Sequence, residues 1–416
     1  MLQEVHQSGR PGFAAGLAHT PVPLAPYRDA DFFEREKDQV FRRAWLLLAR
    51  VEELPVPGSY SVKPLPTFGS SVILTHTKGG AIRAFHNSCS HRGSEILPEG
   101  SGKQPRFVCP YHNWTYTPDG ALVGVPDEAD FPGLDKRDCG LKPVACDTWD
   151  GWVFVNLQRE PEVGLIEYLG PMAEHLAGLN YPAAATPMVF RASLDANWKV
   201  VADAFIETYH IPFIHPRTIG DTFASAANPF SRLLDFTALG VHRAVSMYGN
   251  PEFQLGAENR VERTAYAGAA TDSVIAAAAS EGLTAFLGHP SVNPTGSGSW
   301  SMDVKNVFPH VHLDCGPGGF WLHHFWPMSA TTCEYEVQFY VAPATTVRER
   351  FQQEMYVGRV HEIVLEDLAN VARTQRGINS GGQQVMQLKD SEAGIRHHLD
   401  QILKWVDAPT MREALL

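Results

Sequence analysis

Apolar and polar residues follow two different periodicities along this chain. Between residues 29 and 49 the apolar residues recur at helix-like spacing, and Asp29 or Asp31 can cap the helix that this predicts. Its apolar positions are Phe33, Val40, Phe41 and Trp45. The preceding residues 1–26 are rich in proline, glycine and alanine, so we expect an irregular arm there.

Between residues 58 and 157 the pattern changes to short runs typical of β-strands, and glycine and proline separate these runs. The runs are SYSVKPL, SVILTHT, AIRAFHN, RFVCP, NWTYTPDGALVG and WDGWVFVNL. The triplet Pro118-Asp119-Gly120 is typical of a hairpin turn, and residues 153–157 predict a closing strand. This region therefore predicts a small antiparallel β domain.

From about residue 165 both helix-like and strand-like patterns occur, which predicts a second, larger domain. The stretch 220–300, including the small-residue run 276–279, shows no clear period, and we expect loops with some helix. The other expected elements are a strand at 187–198, a helix at 197–211 cut by Pro212, about three strands within 300–343, a helix at 347–376 ended by Gly377, and a helix at 395–406.

Composition narrows the class of protein. The 416 residues are 44% hydrophobic and 19% charged, as in ordinary soluble proteins, and the length suits about two domains. A net charge of -12 argues against nucleic acid as a partner. We expect no membrane span, since no apolar run is long enough, and the N-terminus shows no signal-peptide pattern. Six scattered cysteines do not suggest a disulfide framework, so the expected location is the cytoplasm.

Two short motifs bring cysteine and histidine together. Cys89-x-His91 is followed, after 17 residues, by Cys109-x-x-His112. Such a set can hold a zinc ion. It also suits a Rieske [2Fe-2S] cluster, in which two cysteines bind one iron and two histidines bind the other. The loops read C-S-H-R-G and C-P-Y-H-N-W, and here the sequence closely resembles the Rieske iron-sulfur proteins.

A second group of polar residues lies in the larger domain. On the expected helix 197–211, Asp203, Glu207 and His210 fall on one face, and His215 follows His210 after four intervening residues. Each of them alone is typical of a surface charge or of a hydrogen-bonded core histidine. Together they crowd two acids and two histidines at one helix end.

A further carboxylate is out of place in the helix 347–376. Asp367 falls within the apolar stripe, whereas Glu366 falls beside it on the polar face. The stripe is Val360, Ile363, Val364, Leu368 and Val371. A carboxylate on a buried face is costly unless it is paired or binds a metal. Two histidines and one carboxylate form the facial triad of non-haem Fe(II) oxygenases, which leaves iron positions open.

Over most of its length the chain resembles the Rieske non-haem iron oxygenases, also called aromatic-ring-hydroxylating oxygenases. The resemblance includes Asn197-Trp198-Lys199, the block Tyr209–His215, and Glu366-Asp367 with Gly377. It implies an α+β fold: a small antiparallel β Rieske domain, and a catalytic domain whose antiparallel sheet is covered by helices (helix-grip, START-like). The expected ranges are 1–45 for an N-terminal arm and helix that packs with the catalytic domain, 46–160 for the Rieske domain and 161–416 for the catalytic domain.

The resemblance also implies roles for single residues. Cys89, His91, Cys109 and His112 would hold the [2Fe-2S] cluster, and His210, His215 and Asp367 would hold mononuclear Fe(II). Glu207 would be the acidic bridge that carries electrons between the two centres. Many members have Asp there, and some homotrimeric members that oxidise quaternary ammonium compounds have Glu. Members often have Glu-Asn where this chain has Asp203-Ala204, which leaves the role of Ala204 open.

The implied activity is that of a terminal oxygenase that uses O2 and electrons from NAD(P)H, delivered by a reductase or ferredoxin. In the family, three subunits form a ring, so His112 of one subunit would meet Glu207 of the next. We expect a homotrimer, with a small subunit as the alternative. The substrate is expected to be small, hydrophobic and aromatic, as in aromatic hydrocarbon catabolism. The alternative is a monooxygenase or demethylase acting on methoxy, N-methyl or quaternary ammonium compounds.

Substrate-contacting residues are weakly encoded, and each candidate is also a plausible core residue. The candidates for an apolar pocket are Phe205, Ile206, Ile214, Met247, Phe308, Phe320 and Phe325. Trp114 and Tyr116 are expected to shield the cluster from water, and Asp203 is a candidate for supporting the iron ligands. One or two of His310, His312, His323 and His324 are expected to reach the pocket. Arg217 and Arg243 are candidates for pairing with a substrate carboxylate.

Two other classes of protein remain open from the sequence. The first is an electron-transfer protein in which the Rieske domain is the whole function. The second is a zinc-stabilised binding protein. Iron content separates an oxygenase from a carrier, and visible absorption separates an iron-sulfur cluster from zinc.

Overall fold

A computed structural model describes residues 17, 21–179, 187–257, 260, 263, 286–316, 319–341 and 343–416. The expected small-residue run at 276–279 and most of the N-terminal arm lie outside these ranges. The chain divides into two compact units. One comprises residues 37–168 with 408–414, and the other comprises the described residues of 1–36 and 169–407. The domain boundaries expected from the sequence lie at residues 45/46 and 160/161, and they stay a prediction.

The described strands and helices, numbered along the chain, are as follows. The strands are β1 (Val22–Pro23), β2 (Leu46–Arg50), β3 (Ser59–Leu65), β4 (Ser70–His76), β5 (Ile82–His86), β6 (Gly100–Lys103), β7 (Phe107–Val108), β8 (Thr115–Tyr116), β9 (Leu122–Gly124), β10 (Pro143–Trp149), β11 (Trp152–Asn156), β12 (Met188–Leu194), β13 (Asp235–Leu239), β14 (His242–Tyr248), β15 (Trp300–Val307), β16 (Val311–Gly316), β17 (Gly319–Ser329), β18 (Thr332–Tyr340) and β19 (Val385–Met386). The helices are α1 (Ala30–Glu36), α2 (Leu165–Leu169), α3 (Pro171–Leu176), α4 (Trp198–Asp203), α5 (Ile211–Ile214), α6 (Gly220–Phe223), α7 (Val347–Asn379), α8 (Ala393–Asp407) and α9 (Met411–Leu415). Within the described ranges, no helix has the length and apolarity needed to cross a membrane.

The unit of residues 37–168 is built from antiparallel sheets. A seven-stranded sheet has the order β2-β11-β10-β5-β4-β3-β6, and a three-stranded sheet has the order β7-β8-β9. Both Cys/His motifs lie in loops, one after β5 and the other between β7 and β8. Cys89 and Cys109 are buried in the same apolar cluster as Phe85, Phe107 and Trp114. The short loops are therefore fixed to a packed core.

The other unit contains one large antiparallel sheet of the order β12-β18-β17-β16-β15-β14-β13. Helix α4 packs against β17 and β18, and α7 packs against α4 and β12. The predicted α+β class, with helices covering an antiparallel sheet, is confirmed. Strands β13 and β14 were not expected, because residues 220–300 have no strong alternation.

The expected helix at 197–211 is wrong in its extent. Helix α4 ends at Asp203, and residues 204–210 form turns before the single turn of α5. Side chains compete with a helical backbone in this stretch. The Glu207 carboxylate accepts hydrogen bonds from the backbone N–H groups of Tyr209 and His210, and the Thr208 hydroxyl donates to Ser231 O. Glu207 and His210 therefore meet through a turn rather than along a helix face.

Helix α7 agrees with the predicted long helix but continues through Gly377 to Asn379. Its start is fixed by a capping box, in which Thr346 Oγ1 accepts from Glu349 N–H and the Glu349 carboxylate accepts from Thr346 N–H. Asp367 is 7% exposed, as its place in the apolar stripe predicts. The expected strands within 300–343 are four rather than three, since Phe308-Pro309 separates β15 from β16.

A buried ion pair fixes α4 to the N-terminal helix α1. Lys199 Nζ lies 2.8 Å from Glu36 Oε1, and Trp198 Nε1 donates to Glu36 Oε2 at 2.8 Å. Both charged side chains are almost fully buried. Burial lowers the pKa of Lys199, and the negative charge of Glu36 opposes this shift. Such a pair contributes little net free energy when intact but is costly to break.

Glu36→Ala is expected to lower the free energy of unfolding by about 3–5 kcal/mol, because it leaves a buried ammonium group without a partner. Urea unfolding followed by circular dichroism measures the change. Glu34→Ala, an exposed change on the same helix, is the control and should shift stability by less than about 0.5 kcal/mol. Equal effects of the two variants would contradict this role for Glu36.

Candidate metal centres

Two histidines and an aspartate meet in the larger unit. The Nε2 atoms of His210 and His215 lie 3.3 Å and 2.9 Å from Asp367 Oδ1. One ligand atom from each residue lies within 4.8 Å of the other two. The group is mostly buried, with His215 only 1% exposed. These are the three residues that the sequence proposes as iron ligands, and the structure brings them together.

Local structure explains how the two histidines face one point. His210 immediately precedes the single-turn helix α5, and His215 immediately follows it. Pro212 lies in the first turn of α5, where its missing N–H is not needed. Asp367 comes from the buried face of α7. The ligand set therefore joins one short turn to one long helix.

Carboxylates hold the outer nitrogen of each imidazole ring. His215 Nδ1 lies 2.7 Å from Glu366 Oε2, and His210 Nδ1 contacts Glu207 Oε1. A carboxylate accepts hydrogen bonds, so each Nδ1 carries a proton and each Nε2 is left to bind a metal. This carboxylate–histidine arrangement orients the rings of metal-binding histidines. The donor set and its supports thus fit a divalent cation.

Sequence reasoning missed Glu366. Its position beside the apolar stripe favoured a simple solvated charge, yet its carboxylate contacts both His215 and the Thr218 hydroxyl. The available signal was its direct proximity in sequence to the out-of-place Asp367. Two consecutive acids at the edge of a buried helix face can serve one site from two directions.

The electrostatics of the cluster show how strongly it attracts positive charge. Burial would lower the pKa of His210, but hydrogen bonds to Asp367 and Glu207 outweigh it and raise the pKa to about 10. Burial would raise the pKa of Asp367, but the two histidines hold it below its ordinary value. The carboxylates around His210 therefore favour a positive charge at this group.

A mostly apolar cavity of about 150 Å³ opens beside the three residues. One wall comes from the helical segments that carry His210, His215 and Asp367. The other wall comes from the sheet, through Met247, Met302, Asp314, Trp321 and His323. A substrate in this cavity would lie directly against the metal-binding residues.

The predicted pocket residues fall into three groups in the structure: those that line this cavity, those that line a second cavity, and those that line neither. Phe205, Met247 and His323 line this cavity. Asp203 and Ile214 line a second cavity, together with Glu207, His210 and Asp367. The remaining candidates line neither of the two cavities. They are Ile206, Phe308, Phe320, Phe325, His310, His312, His324, Arg217 and Arg243.

Those remaining candidates are mostly packed inside the unit. Ile206 belongs to an apolar cluster with Val245, and Phe308 lies against Trp405.

Asp203 Oδ2 accepts a hydrogen bond of 2.7 Å from the Tyr27 hydroxyl. Burial raises the pKa of Asp203 to about 7. Asp203 is therefore a buried acid at the back of the metal-binding group.

The Cys/His motifs also converge, in the smaller unit. His91 Nδ1 lies 3.1 Å from His112 Nδ1, so the two rings face one point. Cys89 and Cys109 are buried and interact with each other, whereas both histidines are partly exposed. Two thiols inside and two imidazoles outside suit a [2Fe-2S] group, whose two irons take different ligands.

Aromatic residues surround this second group. Trp114 stacks on His91, with ring centroids 4.9 Å apart and an angle of 10° between the planes. The Tyr116 hydroxyl lies 3.2 Å from Cys89 Sγ and accepts from Ser90 N–H at 3.0 Å. Both aromatic residues are buried. That they shield the cluster from water stays a prediction.

Comparisons with known proteins resolve the family. The model of the ring hydroxylating alpha subunit catalytic domain matches residues 181–408, which is more than half of the chain. The chain belongs to this family. The model of the Rieske [2Fe-2S] domain matches residues 44–138, which include both Cys/His motifs. The resemblance drawn from the motifs is confirmed.

Relatives within the family differ in chemistry. The chain is 33% identical over 205 residues to a chloroplastic choline monooxygenase from Spinacia oleracea, a match over 48% of the chain and 45% of the relative. It is 34% identical over 212 residues to the alpha subunit of an N,N-dimethyl phenylurea N-demethylase from Sphingobium sp. (strain YBL2), over 48% of the chain and 45% of the relative. The matched segments thus span about half the length of these curated relatives.

Solved structures confirm the fold. A naphthalene 1,2-dioxygenase from Rhodococcus sp. bound to indole superposes with a TM-score of 0.71 and 22% identity. The match covers 94% of this chain and 95% of that one. At this identity the likeness concerns the fold alone.

Glu366→Gln is expected to weaken iron binding by about 10–100-fold, because the amide no longer orients the His215 ring as an anionic acceptor. Chelator competition, followed by iron analysis of the recovered protein, measures the affinity. Glu354→Gln removes an exposed acid of the same helix and is the control. Unchanged iron retention in Glu366→Gln would show that this carboxylate does not support the metal.

Proposed function

We propose that this chain is the terminal component of an oxygenase system, which inserts oxygen from O2 into a small organic substrate. The observation that carries the proposal is the group of His210, His215 and Asp367 on the wall of an apolar cavity. Three protein ligands on one side of an iron ion leave positions for O2 and substrate. The metal, when bound, supplies the activation of O2, and the protein supplies binding, orientation and exclusion of water.

In this proposal Glu207 connects the two metal centres. Its carboxylate contacts His210 Nδ1 and is fixed by backbone N–H groups from Tyr209 and His210. We infer that it accepts a hydrogen bond from His112 of a neighbouring subunit in a homotrimer. An electron from the Rieske centre of one subunit would then need to cross only His112, Glu207 and His210. A reductase or ferredoxin is proposed to supply electrons from NAD(P)H.

The cavity favours a hydrophobic, aromatic substrate. Apart from the metal-binding residues, its wall is dominated by side chains such as Phe205, Phe223, Met247 and Trp321. Flat aromatic side chains suit flat apolar ligands. We therefore propose hydroxylation of a small aromatic compound as the leading activity.

Monooxygenation or demethylation of an N-methyl, methoxy or quaternary ammonium compound is the second candidate. It is supported by the relatives that are named a choline monooxygenase and an N-demethylase. The presence of Glu207, in place of the more common aspartate, also supports this second candidate. The pose of the substrate beside the iron decides between these reactions, and the ligand residues are the same for both.

The metal content of the protein tests the two-centre proposal. Anaerobically reconstituted protein is expected to hold about three irons per chain, two in the cluster and one at the facial triad. His210→Ala should retain the visible absorption of the cluster, lose about one iron and lose product formation. His289→Ala, a change outside the two cavities, is the control. Product formation by His210→Ala would refute the assignment of the triad, and two irons in the wild type would favour an electron carrier.

Mixed oligomers test transfer between subunits. His112→Ala removes a cluster ligand, His210→Ala removes an iron ligand, and each homogeneous variant should be inactive. Oligomers that contain both variants are expected to regain activity, because an intact cluster then faces an intact iron in a neighbouring chain. Co-expression with two affinity tags isolates them. Absence of recovery in mixed oligomers of confirmed composition would contradict transfer from one subunit to the next.

A further inference from the structure

An unpartnered carboxylate oxygen on the sheet side of the cavity is not used by the proposed oxygen chemistry. Asp314, on β16, lines the cavity, and its side chain is only 9% exposed. Its Oδ1 atom is buried and has no hydrogen-bond partner among the described residues. A buried carboxylate with few hydrogen bonds is costly, so Asp314 favours a hydrogen-bond donor from a molecule in the cavity.

Asp314 is held in place by two residues of neighbouring strands. His323 Nε2 lies 3.3 Å from Asp314 Oδ2, and His323 Nδ1 lies 2.6 Å from the Tyr335 hydroxyl. Burial, followed by the charges of Asp314 and Asp367, raises the pKa of Tyr335 well above its ordinary value. The Tyr335 hydroxyl therefore keeps its proton and shares a hydrogen bond with His323 Nδ1.

His323 thereby lies between Tyr335 and Asp314. Its Nε2 atom is buried and makes no hydrogen bond among the described residues. The polar group that this part of the cavity wall offers to a ligand is therefore the Asp314 carboxylate.

Aromatic rings flank this pair. Asp314 and Trp321 are directly opposite each other in the β16–β17 ladder, so their side chains share one face of the sheet. The Phe205 ring lies 4.8 Å from the His323 ring, between centroids. A polar group that reached Asp314 would therefore be attached to a part of the ligand that lies on aromatic surface.

Other charges on the cavity wall are already engaged. Asp367 and Glu207 contact the two imidazoles of the metal group. Arg359 donates to Glu362 and to Thr218 O. These contacts leave the Asp314–His323 pair as the better-placed polar partner for a substrate.

We propose that Asp314, positioned by His323, selects a substrate that carries a hydrogen-bond donor, such as a hydroxyl or a carboxamide on an aromatic body. This inference deepens the proposed function and rests on it, since it assigns the substrate class of the same cavity. The hydroxyl or amide group donates its hydrogen bond to the Asp314 carboxylate. The apolar part lies against Phe205 and Trp321, and the remaining end faces His210, His215 and Asp367.

Binding without turnover tests the proposal. Oxidised holoprotein is titrated by calorimetry with toluene, benzyl alcohol, benzamide and benzyltrimethylammonium. The alcohol and the amide are expected to bind about tenfold more tightly than toluene, which is the effect of one or two net hydrogen bonds. Benzyltrimethylammonium cannot donate a hydrogen bond, so it reports attraction by charge alone.

Two variants of Asp314 separate hydrogen bonding from charge. Asp314→Val should abolish the preference for alcohol and amide over toluene. Asp314→Asn keeps an acceptor oxygen and should restore part of it, which a role through charge alone would not. Thr222→Val, another polar position on the cavity wall, should leave the preference unchanged. The cluster absorption and the melting temperature verify that each variant is folded.

The outcomes distinguish this inference from the proposed function. No preference in the wild type, a preference that survives Asp314→Val, or a preference for the quaternary ammonium probe overturns the role of Asp314 and His323. Any of these results leaves the oxygenase proposal standing if three irons and product formation are found. An Asp314-dependent preference in a protein that holds no third iron would instead support the binding site and refute the oxygenase.

Discussion

A single buried carboxylate, Asp367, constrains the larger unit. It lies on the apolar face of α7 and contacts both His210 and His215. An isolated carboxylate in such a place would be costly, and a pair of imidazoles that share a cation removes that cost. The position of α7, the turn that carries the histidines and the cavity beside them all have to satisfy this one requirement.

Two further carboxylates contact the same imidazole rings. Glu207 and Glu366 bind the outer nitrogens of the two imidazoles, so three acids surround two imidazole rings. This excess of negative charge explains why the pKa of His210 is raised despite its burial. It also explains why a divalent cation suits the group better than a proton does, because the cation offers more charge and more coordination positions to the same oxygens.

The sequence predicted those parts of the protein that depend on local spacing. The Cys/His motifs and the pair His210 and His215 are each short-range patterns, and the place of Asp367 in an apolar stripe needs only the helical period. The grouping of Glu207 with His210 was right, but for the wrong reason, since a turn and not a helix face joins them. Glu366 was missed because helical periodicity describes burial and not the direction of a hydrogen bond.

Contacts between residues that are far apart in the chain could not be predicted from one sequence. Glu36 and Lys199 meet across 163 positions of the chain, and no local signal connects them. The array of Asp314, His323 and Tyr335 likewise requires the register of β16, β17 and β18 to be known. A shift of one residue in any of these strands would turn its side chain to the other face of the sheet.

The division of the cavity into two walls explains how one ligand set can serve different reactions. The metal-binding residues come from α5, its flanking turns and α7, whereas the opposite wall comes from β14 to β17. A substitution on a strand can change the shape and polarity of that wall without disturbing the hydrogen bonds that orient the histidines. In the proposed function, the strand residues, Asp314 among them, would therefore set which part of a substrate faces the metal-binding residues.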